Sequence, residues 1–521
     1  MNRGTTNYET SLAIVKCIVN LYSLLEYSTK IKTISIGETM KKILYFTMIA
    51  LLIMGGSYAS DSKLTTMTPE NEKAAKIDKL LKYSYENGVF NGTILVSEKG
   101  SVIYKKAFGY ADFKTKELLK PQSSFYLASV SKQFTTMGIM ILKERGKLSY
   151  DDKLTKYFPE FSPFADAVTI RHMMTHTSGI PDHYRLGIYK DGLTNDDVLN
   201  TLVKHNKLDF SVGEKYSYSN GAYVLLSLIA AKTSGMAYHV FMRENIFEPL
   251  AMNHTLIYDE SSPKVNNRAK GYDEINELDD YTIFTTGAGG MYTTVEDLFK
   301  WDRALYTDKL ISQDTLSEAF KPFELNSGEM STYGFGWGIK SSDNKTIVSH
   351  SGGMNGYRTY MNRNITDDMS FMLLTNNGNA FAFSIRESIG QILSNQTYKM
   401  PKFPVSRLYS KLMKSGSFET VISEIRRLVN DKNSLYEINE DGINRLGYTL
   451  LAKNYNQKAI DVFKLNVQLN PKSSNPYDSL GEAYMADGQT ALAIKNYEKT
   501  LSMDSRNQWA KSQLAKLKSK D

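Results

Sequence analysis

The sequence predicts an α+β domain followed by an all-α domain. Strand-like runs lie near positions 93–104 and again near 346–375, and helical patterns fill much of the interval between them. An antiparallel sheet assembled from the two ends of a segment, with helices between, is typical of an α+β fold. Beyond residue 400 the pattern is wholly helical and repeats every 34 residues.

The first elements are predicted to be a helix and a β-hairpin. Apolar residues recur at helical spacing at Ile77, Leu80, Leu81 and Tyr85. The runs Thr93–Ser97 and Ser101–Tyr104 then flank a short turn at Gly100, which indicates two antiparallel strands. The hairpin is expected to form one side of the sheet.

The later elements are predicted to complete the sheet. Strands are expected at Thr346–Ser349 and Met369–Thr375, followed by a helix that carries Phe383, Ile385 and Ile389. Pro401 and Pro404 mark the change of pattern. We therefore expect the α+β domain to span residues 60–400 and the helical domain residues 401–521.

The helical domain carries an internal repeat. Six pairs of similar residues stand 34 positions apart: Leu446/Leu480, Gly447/Gly481, Ala452/Ala486, Ala459/Ala493, Ile460/Ile494 and Phe463/Tyr497. Their types and spacing resemble the tetratricopeptide repeat. Two repeats are below the usual minimum, so helices at Phe418–Leu428 and around Ile438 are expected to form a degenerate repeat or to pack on the first domain. The repeats either bind a peptide or only brace that domain, and both interpretations stay open.

Composition excludes several classes of protein. The net charge is +7, and the first 59 residues carry six basic against three acidic side chains, so the remainder has no nucleic-acid signature. The 34 Tyr and 23 Phe, with 41% hydrophobic residues, indicate folded cores rather than disorder. Because Cys17 is the single cysteine, neither a disulfide framework nor a zinc–thiolate site is expected.

The N-terminal region resembles a secretory signal that begins late. Lys41 and Lys42 precede the apolar run Ile43–Met54, and small residues end at Ala59. We interpret residues 40–59 as a signal peptide and residues 1–39 as an upstream over-extension. Twelve apolar residues are too few for an uncleaved membrane anchor. The mature protein is expected to be periplasmic or extracellular and without a stable membrane anchor.

A Ser-x-x-Lys pattern at Ser129 and Lys132 indicates an activated nucleophile. The bare pattern occurs four times in the chain, but only Ser129 follows a β-prone run and opens a helical periodicity. Positions i and i+3 share a helix face, so the amine of Lys132 is expected to reach the hydroxyl of Ser129. The structural alternative is that Ser129 is an N-cap and Lys132 a solvated residue of the first turn.

Two further polar motifs follow in the order that such a site requires. The first holds Tyr218 and Asn220, and the second holds His350 and Gly352. The alternative for Tyr218 is a core aromatic, and for His350 a histidine at a strand end. Three motifs in order favour a serine hydrolase whose base is lysine rather than histidine.

Residues 75–395 resemble the serine β-lactamase-related hydrolases, which include class C β-lactamases, penicillin-binding DD-peptidases, D-aminopeptidases and esterases. Five more segments look like signatures of that group: Arg145–Leu154, Tyr157–Pro159, Arg171–Pro181, Tyr216–Leu226 and Gly287–Thr294. The resemblance implies a β-lactamase/transpeptidase-like antiparallel sheet flanked by helices, a helical subdomain, and a cleft between them that holds the site.

The resemblance also implies roles for the motif residues. Ser129 would attack a carbonyl and form an acyl-enzyme, and Lys132 would take its proton. Tyr218 would shuttle that proton to the leaving group and help to activate the deacylating water. Asn220 would orient Lys132 and the substrate amide. This mechanism needs no cofactor and no metal ion.

His350 departs from the pattern of many relatives, which have lysine in a Lys-Thr-Gly motif at this place. A histidine is charged only partly near pH 7, whereas a lysine offers a permanent charge to a substrate carboxylate. This difference favours esterase or aminopeptidase chemistry over β-lactamase chemistry. The oxyanion hole is expected to use the N–H of Ser129 with one near Gly353, and Gly352 and Gly353 are expected to admit substrate close to the strand.

Two other functions are compatible with parts of the sequence. His172 and His176 stand at positions i and i+4, which would put two imidazoles on one helix face for a metal ion, with His183 as a third ligand, although the Glu of the His-Glu-x-x-His pattern is absent. A non-catalytic protein that binds cell-wall peptide, with repeats that recruit a partner, is the alternative outside enzymes. The expected partners are a small-molecule or peptide substrate and a protein or peptide at the repeats, but no nucleic acid.

Overall fold

The structure is a computed structural model that describes residues 69–342, 344–378, 382–413 and 416–519. The predicted over-extension and signal peptide lie outside the described residues. The strands are β1 (Gly92–Glu98), β2 (Ser101–Phe108), β3 (Tyr110–Asp112), β4 (Glu117–Leu118), β5 (Phe125–Tyr126), β6 (Leu256–Ile257), β7 (Met291–Thr293), β8 (Gly338–Ser342), β9 (Lys345–Met354), β10 (Tyr357–Asn364), β11 (Met369–Thr375), β12 (Phe403–Pro404) and β13 (Tyr436–Glu437).

The helices alternate with these strands and then continue alone. They are α1 (Pro69–Glu86), α2 (Lys132–Glu144), α3 (Leu154–Tyr157), α4 (Ile170–Met174), α5 (Asn195–His205), α6 (Asn220–Ser234), α7 (Tyr238–Met242), α8 (Val295–Ala304), α9 (Gln313–Ser317), α10 (Ala382–Leu393), α11 (Val405–Leu412), α12 (Phe418–Leu428), α13 (Glu440–Leu451), α14 (Asn456–Leu469), α15 (Asn475–Ala486), α16 (Thr490–Met503) and α17 (Gln508–Lys518).

A six-stranded antiparallel sheet joins the two ends of the first domain, in the order β2-β1-β11-β10-β9-β8. The predicted strands correspond to β1, β2, β9 and β11, so the predicted α+β architecture is confirmed. The sequence did not predict β8 and β10. Polar residues such as Arg363 hide the alternation in β10, and Arg363 is buried because its Nε donates to Asp302 Oδ1 at 2.6 Å.

The sheet separates two hydrophobic cores. On one face Ile94 and Val96 of β1 pack with Ile77 of α1 and Ile385 of α10. On the other face Leu95 belongs to a larger core that includes residues of α2, α6 and α8. Because successive side chains of a strand point to opposite faces, a strand that is buried on both faces carries consecutive apolar residues, as β1 does at Ile94, Leu95 and Val96.

The C-terminal helices pack in sequence around a core of their own. The repeat-related glycines have a steric role, since a Cβ on Gly447 would collide with the ring of Phe463 and one on Gly481 would lie 3.0 Å from the ring of Tyr497. The predicted helix at Phe418–Leu428 is present as α12. The prediction of a helix around Ile438 was wrong, because the preceding residues form β13, which pairs with β12. Helix α13 begins only at Glu440, and the side chain of its N-cap residue Asn439 accepts a hydrogen bond from Gly442 N.

The helical domain contacts a loop of the first domain. Lys453 Nζ lies 2.6 Å from carboxylate oxygens of both Asp273 and Glu277, and Ile275 packs against the core of the helical domain. These contacts are compatible with a brace, and they leave the peptide-binding interpretation open. Over the described ranges no single helix is long and apolar enough to cross a membrane, and only the bent pair Asn220–Ser234 with Tyr238–Phe247 passes that test jointly.

Candidate active site

Ser129 lies in a tight turn that the sheet holds in place. The turn Ala128–Ser131 is a 3₁₀ segment, so Ser129 precedes the α-helix, which begins at Lys132. Ala128 adopts a positive φ of 49°, a conformation that is costly for a residue with a Cβ. Gly352 of β9 packs on the turn, since a Cβ there would collide with Leu127 O. The close approach of β9 therefore requires glycine at this position.

Lys132 is fully buried beside Ser129. Its Nζ lies 3.1 Å from Ser129 Oγ, 2.8 Å from Asn220 Oδ1 and 2.7 Å from Ala288 O. Burial lowers the pKa of Lys132 well below its ordinary value, and the negative charge of Asp182 opposes this effect. A neutral amine donates two hydrogen bonds, here to Asn220 and Ala288, which leaves its lone pair facing the Ser129 hydroxyl. This is the geometry of a base for Ser129.

Tyr218 covers the Lys132 amine. Lys132 Nζ lies 4.8 Å from the centroid of the Tyr218 ring, and the other side of the ring packs on His176 at 4.2 Å between centroids. Burial raises the pKa of Tyr218, and an interaction with the Ser129 hydroxyl opposes that rise. The phenol is therefore protonated at neutral pH. It is suited to deliver a proton and to recover one from Lys132.

Asp182 is a residue of the site that the sequence analysis missed. Its Oδ2 accepts hydrogen bonds from Asn220 Nδ2 at 2.7 Å and Asn220 N at 3.0 Å, and its Oδ1 accepts from Tyr184 N at 2.9 Å. Because Asn220 donates to Asp182, its Oδ1 is turned toward Lys132. Asp182 directly follows the family-like segment Arg171–Pro181. The number of residues between Asp182 and Asn220 did not predict that the two side chains are in contact.

We expect Asp182→Asn to impair Lys132 without unfolding the protein. The asparagine NH2 group is a donor, and it would face one of the N–H groups that now donate to the Asp182 carboxylate. The loss of the negative charge would lower the pKa of Lys132 further. We expect kcat/KM to fall by about 10- to 100-fold, the loss typical of a charge-assisted hydrogen bond, and the acid limb of the pH profile to move to lower pH. Asp209→Asn, which disrupts an exposed pair with Arg185, is the matched control. An unmoved acid limb would contradict this positioning role.

His350 lies in the same cluster but is neutral. Its Nδ1 donates to Ser351 O at 2.7 Å, so its Nε2, 2.8 Å from the Tyr333 hydroxyl, accepts a hydrogen bond. Burial, and then the nearby Lys132, lower the pKa of His350 to about 3. The expectation of partial charge near pH 7 was wrong, because the ring is buried and both of its nitrogens are engaged.

The segment after His350 forms a free edge of the sheet. Strand β8 pairs with β9 only as far as Ser349, and β10 occupies the other side of β9. Gly353 is exposed, whereas Gly352 is buried against the Ser129 turn. An extended substrate is able to lie along this edge. The oxyanion hole from Ser129 and Gly353 stays a prediction.

The histidines of the alternative metal site do not share a helix face. Helix α4 ends at Met174, and His176 follows it with a positive φ of 58°. His172 Nδ1 lies 2.8 Å from Thr169 Oγ1 within the N-terminal cap of α4. In the part of the chain that the structure describes, no three His, Cys, Asp or Glu side chains are grouped to hold a metal ion.

Comparisons with known proteins place the chain in a family. A Beta-lactamase family model matches residues 74–393. Penicillin-binding protein 4* of Bacillus subtilis (strain 168) is 35% identical over 399 residues, which cover 69% of this chain and 87% of that protein. The octameric penicillin-binding protein homologue from Pyrococcus abyssi has a TM-score of 0.56 at 25% identity, covering 66% of this chain and 81% of its own. FmtA from Staphylococcus aureus has a TM-score of 0.55 at 26% identity, covering 64% and 91%. The chain therefore belongs to the serine β-lactamase-related family.

Proposed function

We propose that the protein is an exported serine hydrolase that acts on amide or ester bonds through an acyl-enzyme. One observation carries the proposal: the buried Lys132 amine, whose pKa burial lowers well below its ordinary value, lies 3.1 Å from the Ser129 hydroxyl. Such an amine removes the serine proton as the oxygen attacks a carbonyl. Export rests on the predicted signal peptide at residues 40–59.

The proton path follows from the contacts of the site. Ser129 Oγ bonds to the carbonyl carbon while its proton passes to Lys132 Nζ, and the carbonyl oxygen becomes an oxyanion that the N–H groups of Ser129 and Gly353 stabilise. As the carbon–leaving-group bond breaks, the Tyr218 phenol gives its proton to the leaving group and recovers one from Lys132. Water then attacks the acyl-enzyme by the same path in reverse and releases the acid.

The neutral His350 indicates the class of substrate. Burial lowers the pKa of its ring to about 3, so it offers no positive charge near pH 7 at the place where many relatives have lysine. A carboxylate placed there would lose its hydration without gaining an ion pair. We therefore propose that small esters and D-amino acid amides are better substrates than penicillins.

The proposal is tested by a substrate screen with the chain from residue 60. We expect kcat/KM for p-nitrophenyl esters or D-amino acid amides to exceed that for nitrocefin. A preference for nitrocefin would contradict the proposed substrate class but not the mechanism. Absence of turnover and of labelling by fluorophosphonate and penicillin probes would favour the non-catalytic binding protein.

A further inference from the structure

Three helices of the helical domain, α13, α15 and α17, contribute to one face that carries two carboxylates. Tyr448 of α13, Asp478 and Glu482 of α15 and Trp509 of α17 meet there, and we call these four residues the acidic face. The Tyr448 hydroxyl donates to Ser479 Oγ at 3.1 Å, and Glu482 interacts with both Tyr448 and Trp509. The four side chains therefore form one continuous surface across α13, α15 and α17.

Neither carboxylate of this face has a cationic partner within the described ranges of the chain. Asp478 and Glu482 stand four residues apart on α15, the spacing at which like charges repel. The polar partners of both carboxylates are neutral groups: the Asn507 side chain for Asp478, and Tyr448 and Trp509 for Glu482. Burial raises the pKa of both carboxyl groups, and Asp478 raises that of Glu482 further. Such an arrangement is unfavourable for the domain alone, because a positive charge is missing.

Buried polar atoms beside the acidic face also lack partners. Asp478 Oδ1, Asn444 Oδ1 and the Tyr497 hydroxyl have no hydrogen-bond partner among the described residues. Tyr497 is fully buried, and burial raises the pKa of its hydroxyl. Glu482, Asp478 and Tyr448 raise this pKa further, which places the hydroxyl near these three side chains. Two of the three atoms accept hydrogen bonds only. The missing group is therefore a donor, and the carboxylates require it to be positive.

Trp509 adds an exposed aromatic ring to the acidic face. Its side chain is 51% exposed, whereas Trp301 and Trp337 are buried in the first domain. An exposed indole beside carboxylates attracts a cation through its ring face. Tryptophan is also one of the residue types enriched among the side chains that contribute most to binding at interfaces.

We propose that the acidic face binds a basic peptide segment, with a lysine or arginine side chain held between Asp478, Glu482 and the indole of Trp509. The cation supplies the absent counter-charge to Asp478 and Glu482. The proposal concerns the helical domain and does not depend on the chemistry of Ser129.

The test uses the full chain and dye-labelled peptides in fluorescence anisotropy. The probes are Ac-Gly-Lys-Gly-Lys-Gly-amide and the same peptide with norleucine in place of lysine. We expect the lysine peptide to bind at least tenfold more tightly than the norleucine peptide, with an affinity that falls as salt rises. It should also change the fluorescence of Trp509, and this change should disappear in Trp509→Phe.

The variant Asp478→Asn/Glu482→Gln separates binding from folding. We expect it to lose at least tenfold in affinity for the lysine peptide while unfolding at an equal or higher urea concentration, because a repulsion is removed. The matched control is Asp461→Asn/Glu498→Gln, which removes two charges from α14 and α16 and should bind as the parent protein does. Equal binding of both probes, equal loss in both variants, or full competition by free lysine amide would overturn the proposal of a basic peptide.

Discussion

Ser129→Ala is expected to lower kcat/KM by at least about 10⁴-fold on every substrate that the protein hydrolyses. The substitution removes the oxygen that forms the acyl-enzyme, and no other hydroxyl lies within hydrogen-bonding distance of Lys132 Nζ among the described residues. A fluorophosphonate probe should label the parent protein covalently and leave the variant unlabelled. The measurement is intact-protein mass, taken together with the initial rate on a p-nitrophenyl ester.

Ser131→Ala is the control for this result. Ser131 lies in the same 3₁₀ turn, and its buried hydroxyl has no hydrogen-bond partner in the described structure. The control should therefore keep its activity and its labelling. If Ser129→Ala retained labelling at an equal rate, the nucleophile would be elsewhere and the assigned site would be wrong.

Lys132→Met is expected to lower kcat/KM by about 10³- to 10⁴-fold, the range of a lost general base. Methionine fills the buried space with an apolar chain, so the loss reports the amine rather than a cavity. Because burial holds the pKa of Lys132 well below its ordinary value, the parent protein should be fully active above that lowered pKa and lose activity as the pH falls through it. The variant's residual rate should lack this acid limb.

The same substitution predicts a change in stability that depends on pH. Between the lowered pKa of Lys132 and its ordinary value of 10.5, the unfolded chain binds a proton that the folded chain excludes. The free energy of unfolding of the parent protein therefore rises with pH across this interval, by up to about 1.4 kcal/mol per pH unit from this group. Urea unfolding at pH 7 and pH 9 should show this slope reduced in Lys132→Met and unchanged in Lys143→Met. An unchanged slope in Lys132→Met would mean that the amine is charged in the folded protein.

Local spacing and the family resemblance together predicted the contacts of Lys132 with Ser129 and Asn220. Ser129 and Lys132 are near in sequence, so helical geometry alone brings them together. Asn220 lies 88 positions away from Lys132, yet its Oδ1 is 2.8 Å from the amine. The resemblance to the family supplied that long-range contact, since no local rule connects the two positions.

Other features were invisible because they depend on orientation and burial. Asp182 contributes through the direction of its Oδ2, which turns the Asn220 amide, and no spacing rule encodes such a direction. The charge of His350 was predicted from its ordinary pKa, which holds for a solvated ring and not for one buried beside Lys132. Strand β10 escaped notice because a buried ion pair allows Arg363 to face a core.

The sequence by itself determined the α+β and helical segments, the proximity of Ser129 and Lys132 and the 34-residue spacing of similar residues, because each depends on periodicity or on neighbours within a few residues. The tertiary structure alone decided that burial lowers the pKa of Lys132 and of His350, and that Asp478 and Glu482 have no cationic partner among the described residues. These properties depend on how much water each group loses and on which distant groups approach it. Both quantities exist only once the chain has packed.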